Sequence, residues 1–252
     1  MAKTHPHIES PKLLAAILAS ALLAGCATTT APAPVRTLES SPTAQAPSAA
    51  TLPDGFVHLS ETAPGVEVEL RYATDDNFTG SVVDGYRSTD AAILREDAAE
   101  ALGAVQRELE QQGLGLLVWD AFRPTRAVDY FVEWARNPDD STQAEYYPGL
   151  EKAQLFELGY IAEHSRHSLG GTVDLTLIRL ADGEALDMGG AFDFFGERSH
   201  YDAAGLTEEQ RQNRALLRKV MELQGFEPYP LEWWHFSYPL PESTEPSDFP
   251  VE

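Results

Sequence analysis

The chain has 252 residues, of which 43% are hydrophobic and 10% aromatic, enough to build an ordinary globular core. Forty acidic residues against eighteen basic ones give a formal charge of -22. That balance excludes a nucleic-acid partner, because phosphate binding requires a concentration of Lys and Arg.

In chain order, the first feature is a leader. Lys3 and Lys12 precede an apolar run from Leu13 to Gly25, which falls short of the ~20 residues a membrane-spanning helix needs. A charged start, a short apolar stretch and small residues at its end describe a secretory signal peptide over residues 1–25. The run closes on Leu23-Ala24-Gly25-Cys26, and Cys26 is the only cysteine. It resembles a bacterial lipobox, so Cys26 is expected to carry a lipid anchor in the membrane and to place the protein at the cell envelope, facing the periplasm or exterior. Residues 26–50 are rich in Ala, Pro, Ser and Thr and cannot bury enough surface to offset their ordering entropy, the character of a tether. The folded unit is expected over residues 51–252, continuing beyond Pro239 as a Pro-rich, acidic tail.

Within that unit, Val66 to Tyr72 alternates apolar and polar residues and predicts a half-buried strand. Leu94, Ala98, Leu102, Val105 and Leu109 recur at helical spacing, predicting a helix over about 91–112 that Gly113 terminates. Leu114 to Trp119 reads as a short buried strand, and Pro124 stands at the first turn of a helix reaching about Arg136. Thr172 to Ile178 alternates again, with Asp174 and Thr176 on its polar face. Thr207 and Gln210 form a possible capping box for a helix ending at Gly225. Leu231 to Tyr238 is aromatic and bounded by prolines, a strand. Helices and strands intermingle without βαβ alternation. The expected fold class is therefore α+β, with a mostly antiparallel central sheet flanked by helices and a metal site at the sheet.

The chemistry concentrates in two segments. In Ser165-Arg166-His167-Ser168-Leu169-Gly170-Gly171-Thr172-Val173-Asp174, the paired glycines permit a reversal that can return His167 and Asp174 to one metal ion. In Glu232-Trp233-Trp234-His235, residues three apart on a regular strand face opposite ways. Glu232 and His235 share a site only if the strand begins irregularly near Pro230; otherwise the segment is an aromatic core strand with a polar edge. Together, His167, Asp174 and His235 supply three protein ligands and leave a fourth tetrahedral position for water, the pattern of catalytic zinc. Such a metal lowers the pKa of its water to about 7, and Glu232 is then the candidate general base. Arg123, in Trp119-Asp120-Ala121-Phe122-Arg123-Pro124, follows a strand directly, where a guanidinium stabilises an oxyanion or simply makes a surface ion pair. His164 and His200 are read as structural or unassigned.

These segments resemble the VanX-like branch of the zinc D-Ala-D-Ala peptidases. The likeness rests on Ser-x-His-x-x-Gly-x-x-x-Asp and Glu-x-Trp-His, and on Tyr72 to Gly80, Phe122-Arg123-Pro124, Phe192-Asp193-Phe194 and Glu197 to His200. It implies one Zn2+ per chain, held by His167, Asp174 and His235, with Glu232 as base and Arg123 polarising the scissile carbonyl. It further implies that Tyr72, Ser165 and Asp193 line a small substrate pocket, Asp193 facing the substrate's free amine. From the residues alone, Tyr72 reads as core and Asp193 as a loop acid. The implied activity is hydrolysis of D-alanyl-D-alanine to two D-alanines. Alternatives are a carboxypeptidase on longer peptidoglycan stem peptides and a non-catalytic binder of cell-wall peptides. The export signal points away from depleting a cytoplasmic dipeptide pool, towards cell-wall turnover or scavenging.

Overall fold

The computed structural model describes residues 51–252; the leader, Cys26 and the spacer at 26–50 lie outside the described residues. The chain opens with β1 (Phe56–His58), α1 (Leu59–Thr62), β2 (Glu67–Val68) and β3 (Ile93–Arg95), followed by α2 (Glu96–Glu110) and β4 (Leu114–Asp120). Then come α3 (Thr125–Arg136), α4 (Gln143–Tyr146), α5 (Lys152–Glu157), β5 (Thr172–Arg179), α6 (Glu208–Leu223), β6 (Glu227–Tyr229) and β7 (Glu232–Ser237). Five strands form the main sheet in the order β2-β4-β5-β7-β6, and β1 pairs with β3 in a separate two-stranded sheet. Among these strands only β2–β4 pair in parallel; the other strand pairs are antiparallel. The α+β class and the mostly antiparallel sheet are as the sequence predicts.

The helices form for the reasons their spacing suggests. Helix α2 buries Ala98, Ala99, Leu102, Val105 and Leu109, one stripe at three- and four-residue intervals. Gly113 adopts φ 73 just beyond it, a left-handed conformation that L side chains avoid. In α6 the Thr207 hydroxyl accepts from Gln210 N while the Gln210 side chain accepts from Thr207 N, completing the reciprocal cap. Helix α3 begins at Thr125, with Pro124 as the residue before its first turn.

Two expectations require correction. The segment from Val66 to Tyr72 is a strand only at Glu67–Val68; Arg71–Ala73 curls into a single 3-10 turn that carries Tyr72 inward, 2% exposed. Leu94 belongs to β3, so α2 starts at Glu96 rather than near residue 91. Its apolar side chain extends the helical pattern by coincidence. Strand β5 is buried on both faces, Thr176 and Asp174 included, because it is the centre of the sheet. The expected alternation is present, with Asp174 and Thr176 on the face opposite Val173, Leu175 and Leu177.

The stretch beyond Pro239 is docked against the domain. Val251 bridges Tyr86 and is buried, and Phe249 stacks on Phe122 at 4.2 Å between ring centres. Ser247 N donates to Ser168 O and Ser247 O accepts from Thr125 N, tying the loop after Arg123 to the loop of His167. The Phe and Val side chains in an otherwise polar segment supply the apolar contact that a free tail lacks. Among the described residues no helix is long and apolar enough to cross a membrane.

Candidate active site

The site lies across the centre of the main sheet. Strand β5 supplies Asp174, and its neighbour β7 supplies His235, paired with Asp174 in register. His167 sits in a 3-10 turn (Arg166–Leu169) immediately before β5. That turn is capped by the Ser165 hydroxyl, which accepts from His167 N. It ends in Gly170 at φ 85, where the left-handed backbone requires glycine. Gly171 is needed for a different reason: a Cβ there would meet Leu240 at 2.8 Å and the Tyr238 carbonyl at 3.0 Å.

The irregularity that Glu232 needs is present. Pro228 pairs with Phe236, but Tyr229 pairs with Glu232, so the β6–β7 register breaks at the hairpin around Pro230. Glu232 thereby escapes strict alternation, and its Oε2 lies 3.5 Å from His235 Nδ1. His167, Asp174 and His235 each present one ligand atom, all within 4.8 Å of one another. His167 Nδ1 donates to Ala121 O at 2.7 Å, which leaves the Nε2 lone pair facing Asp174 Oδ2 at 3.4 Å and His235 Nδ1 at 3.4 Å. Asp174 Oδ1 is buried and takes no hydrogen bond, though His235 Nδ1 is only 3.0 Å away. Unpaired, converging nitrogen and oxygen acceptors of this kind suit a borderline-soft dication such as zinc.

Electrostatics follow from burial and crowding. Burial holds the His235 imidazole below its ordinary range, hence neutral and able to ligate. Burial pushes the Asp174 carboxyl upward, but the adjacent imidazoles more than reverse this and hold it well below the usual range. Glu232 is driven well up by burial and by Asp174 and Asp193, the setting in which a carboxylate accepts a proton near neutrality.

Arg123 is not a surface ion pair. Its Nε and Nη2 lie 2.9 and 2.8 Å from Asp120 Oδ2, and its guanidinium packs 5.1 Å from the Tyr72 and Phe131 ring centres. Asp120, wholly buried, also accepts from the Tyr86 hydroxyl at 2.6 Å and stands 3.4 Å from His167 Nδ1. The sequence reading passed over Asp120 and Tyr86. Asp120 belongs to the arginine's motif, and its place at the end of an apolar strand was the available signal; nothing in the sequence marks Tyr86.

Tyr72 donates to Asp193 Oδ2 at 2.9 Å, a contact spanning 121 positions. Among the described residues Asp193 is the only non-glycine with positive φ, at 58. Burial and Asp174 raise its carboxyl well above the usual range, against the Tyr72 hydrogen bond and Arg123. Tyr72, Arg123, Ser165, His167, Asp174, Asp193, Glu232 and His235 all line one cavity of about 220 Å³. His164 is exposed at its wall, and His200 pairs with the Tyr160 hydroxyl at 2.9 Å; neither joins the ligand group.

Two imidazoles and a carboxylate converging beside a buried proton-accepting carboxylate define a metallohydrolase type of centre. The comparisons specify which. A family model described as D-ala-D-ala dipeptidase matches residues 53–249, and the chain belongs to that family. A D-alanyl-D-alanine dipeptidase of Enterococcus faecalis is 47% identical over 184 residues, covering 73% of this chain and 91% of that one. Those of Enterococcus faecium (45% over 202 residues, 79% and 98%) and Streptomyces coelicolor (42% over 200 residues, 78% and 98%) are also similar.

Proposed function

We propose that the protein is a zinc dipeptidase that hydrolyses D-alanyl-D-alanine to two D-alanines, binding one zinc ion per chain through His167, Asp174 and His235. Its relatives that bear this activity in their names match it over most of their length. Zinc held there would supply Lewis-acid polarisation and increase the acidity of a water. The protein's own groups do the rest. Glu232, buried and biased towards holding a proton, takes one from the attacking water and returns it to the leaving amine. Arg123, fixed by two contacts to Asp120 and stacked on aromatic rings, offers its remaining N–H groups to the carbonyl oxygen as negative charge develops.

The observation that carries the dipeptide reading is Asp193. It is 4% exposed, and the Tyr72 hydroxyl is its hydrogen-bond donor in the cavity. A free α-ammonium placed there would replace repulsion by attraction and leave the carboxylate ionised. An acylated nitrogen offers no such charge. The test compares D-Ala-D-Ala with N-acetyl-D-Ala-D-Ala. Preferential cleavage of the free dipeptide is expected, whereas cleavage of only the acylated form would establish a carboxypeptidase instead.

The lipobox-like Leu23-Ala24-Gly25-Cys26 supports a lipid anchor on Cys26 and a place at the cell envelope. Outside the cytoplasmic membrane the reaction serves turnover or scavenging of cell-wall dipeptides. Metabolic labelling with an alkynyl fatty acid checks the anchor; loss of label in C26S, with the wild type labelled, is the expected result, and an unlabelled wild type would refute it.

A further inference from the structure

Helix α6 carries a buried guanidinium, Arg214, 2% exposed and not among the residues that line the cavity. Its Nε donates to Met188 O at 2.6 Å, Nη1 to His200 O at 2.6 Å and Nη2 to Arg198 O at 2.9 Å. The fork lies 5.7 Å from the centre of the Trp233 ring. All three hydrogen-bond partners are backbone carbonyls rather than carboxylates, and burial together with Arg198 pulls the guanidinium pKa down to about 10. A buried cation satisfied by carbonyls alone is costly, so its placement calls for a reason beyond packing.

The three carbonyls supply one. Met188 opens the segment 188–200, and Arg198 and His200 close it. Between them the chain has no helix or strand except the 3-10 turn Glu197–Ser199, and midway it holds Asp193 at φ 58. A non-glycine residue keeps a left-handed conformation only where its surroundings over-determine it. Tying both ends of a loop to one rigid planar group narrows the positions its middle can take.

We infer that Arg214 is a positioning residue for substrate selection: by clamping both ends of the 188–200 segment it holds the Asp193 carboxylate against Tyr72, at the depth where a free amine is recognised. This rests on the role given to Asp193 above, and the experiment separates the two.

The measurement is kcat and KM for D-Ala-D-Ala and for N-acetyl-D-Ala-D-Ala, with zinc content, in D193N, R214K, G190A and D193N/R214K. R214K keeps the charge but loses the fork. G190A reaches the same contact from the other side, since its Cβ would meet Arg198 O at 3.2 Å and Arg214 Nη2 at 3.3 Å. It removes no charge, so it decides the question if R214K does not fold. Each single variant should raise KM for the free dipeptide on the order of tenfold with kcat within about twofold, the signature of lost ground-state recognition. Preference over the acetylated substrate should fall in parallel, zinc content should hold, and the double variant should be no worse than D193N. An unchanged KM in D193N would overturn the amine reading itself. A raised KM in D193N beside unchanged values in R214K or, failing its folding, in G190A would overturn the positioning role alone. So would a drop in kcat equal for both substrates, or additive losses in the double variant, either of which describes a merely structural contact.

Discussion

Replacing Asp120 by Asn tests whether Arg123 works as a held group or merely as a nearby charge. The substitution is nearly isosteric but removes, among the described residues, the only carboxylate within 3 Å of the guanidinium. Asp120 is fully buried and the Arg123 side chain 13% exposed, so solvent screens little of the loss. Breaking one side of a buried pair costs about 3–5 kcal/mol when it strands the partner's charge. Arg123 keeps a weaker contact with Asp174 Oδ2 at 3.6 Å, which places the expected loss near the lower end, about 3 kcal/mol. Released from Asp120, the guanidinium is drawn towards Asp174 and away from the carbonyl, and a misplaced oxyanion donor costs about 10²–10³ in kcat. Urea unfolding and steady-state hydrolysis of D-Ala-D-Ala measure the two effects separately. The double variant D120N/R123M removes the stranded charge and should recover much of the stability while recovering none of the activity. Wild-type kcat in D120N, or fully additive destabilisation in the double variant, would refute the argument.

E232Q should lower kcat by about 10²–10⁴ while zinc content, read by atomic emission, stays at one per chain; retained turnover would exclude Glu232 as base. Exhaustive chelation should abolish hydrolysis and added zinc restore it, and D174A should purify without the metal. F249A deletes a half-buried ring stacked on Phe122 and edge-on to Phe56, costing roughly 2 kcal/mol, visible as a Tm lower by about 4–8 °C. The Asp187 carboxyl is held below its usual range by the Gln210 side chain and Gly189 N–H. Its contribution is thus present above the unfolded carboxylate pKa and lost as pH falls through the lower folded value, so D187N should flatten the acid limb of stability against pH.

How far the sequence went depends on the range over which each feature is fixed. The cap at Thr207 and Gln210, the glycine after α2 and the His167 turn are decided by neighbours within a few residues, and periodicity or spacing reports them. The break at Pro230 was legible as a requirement, since Glu232 and His235 could not otherwise meet. Tyr72 was legible only through resemblance. Its alternating neighbours describe a strand, while the fold needs a turn there to meet an aspartate 121 positions away. Asp120 and Tyr86 fail for the same reason: a buried pair joined across 34 positions leaves no local pattern. The docking of Phe249 and Val251 depends on surfaces far upstream, so an acidic, Pro-rich composition concealed it.

One electrostatic imbalance connects the parts of the site. Asp174, Asp193 and Glu232 are buried at the cavity wall, Arg123 lines the same wall 13% exposed, and Asp120 is buried against Arg123. Asp120 and Arg123 neutralise each other at 2.8 Å. The other three carboxyls face one another, and the upward pressure on Asp193 and Glu232 is the result. The proposed dication among the ligands and ammonium at Asp193 would bring three positive charges to these three carboxyls, before the dipeptide's own terminal carboxylate is counted. Each partner therefore lowers the cost of ionising the acid that the other needs. Binding of zinc and of a free-amine dipeptide should be mutually reinforcing, by the reciprocity of linked equilibria. On the proposed role of Asp193, an acylated peptide, lacking the third charge, would leave its carboxyl either protonated or buried unpaired, and selectivity for the dipeptide would follow from that desolvation rather than from steric exclusion alone.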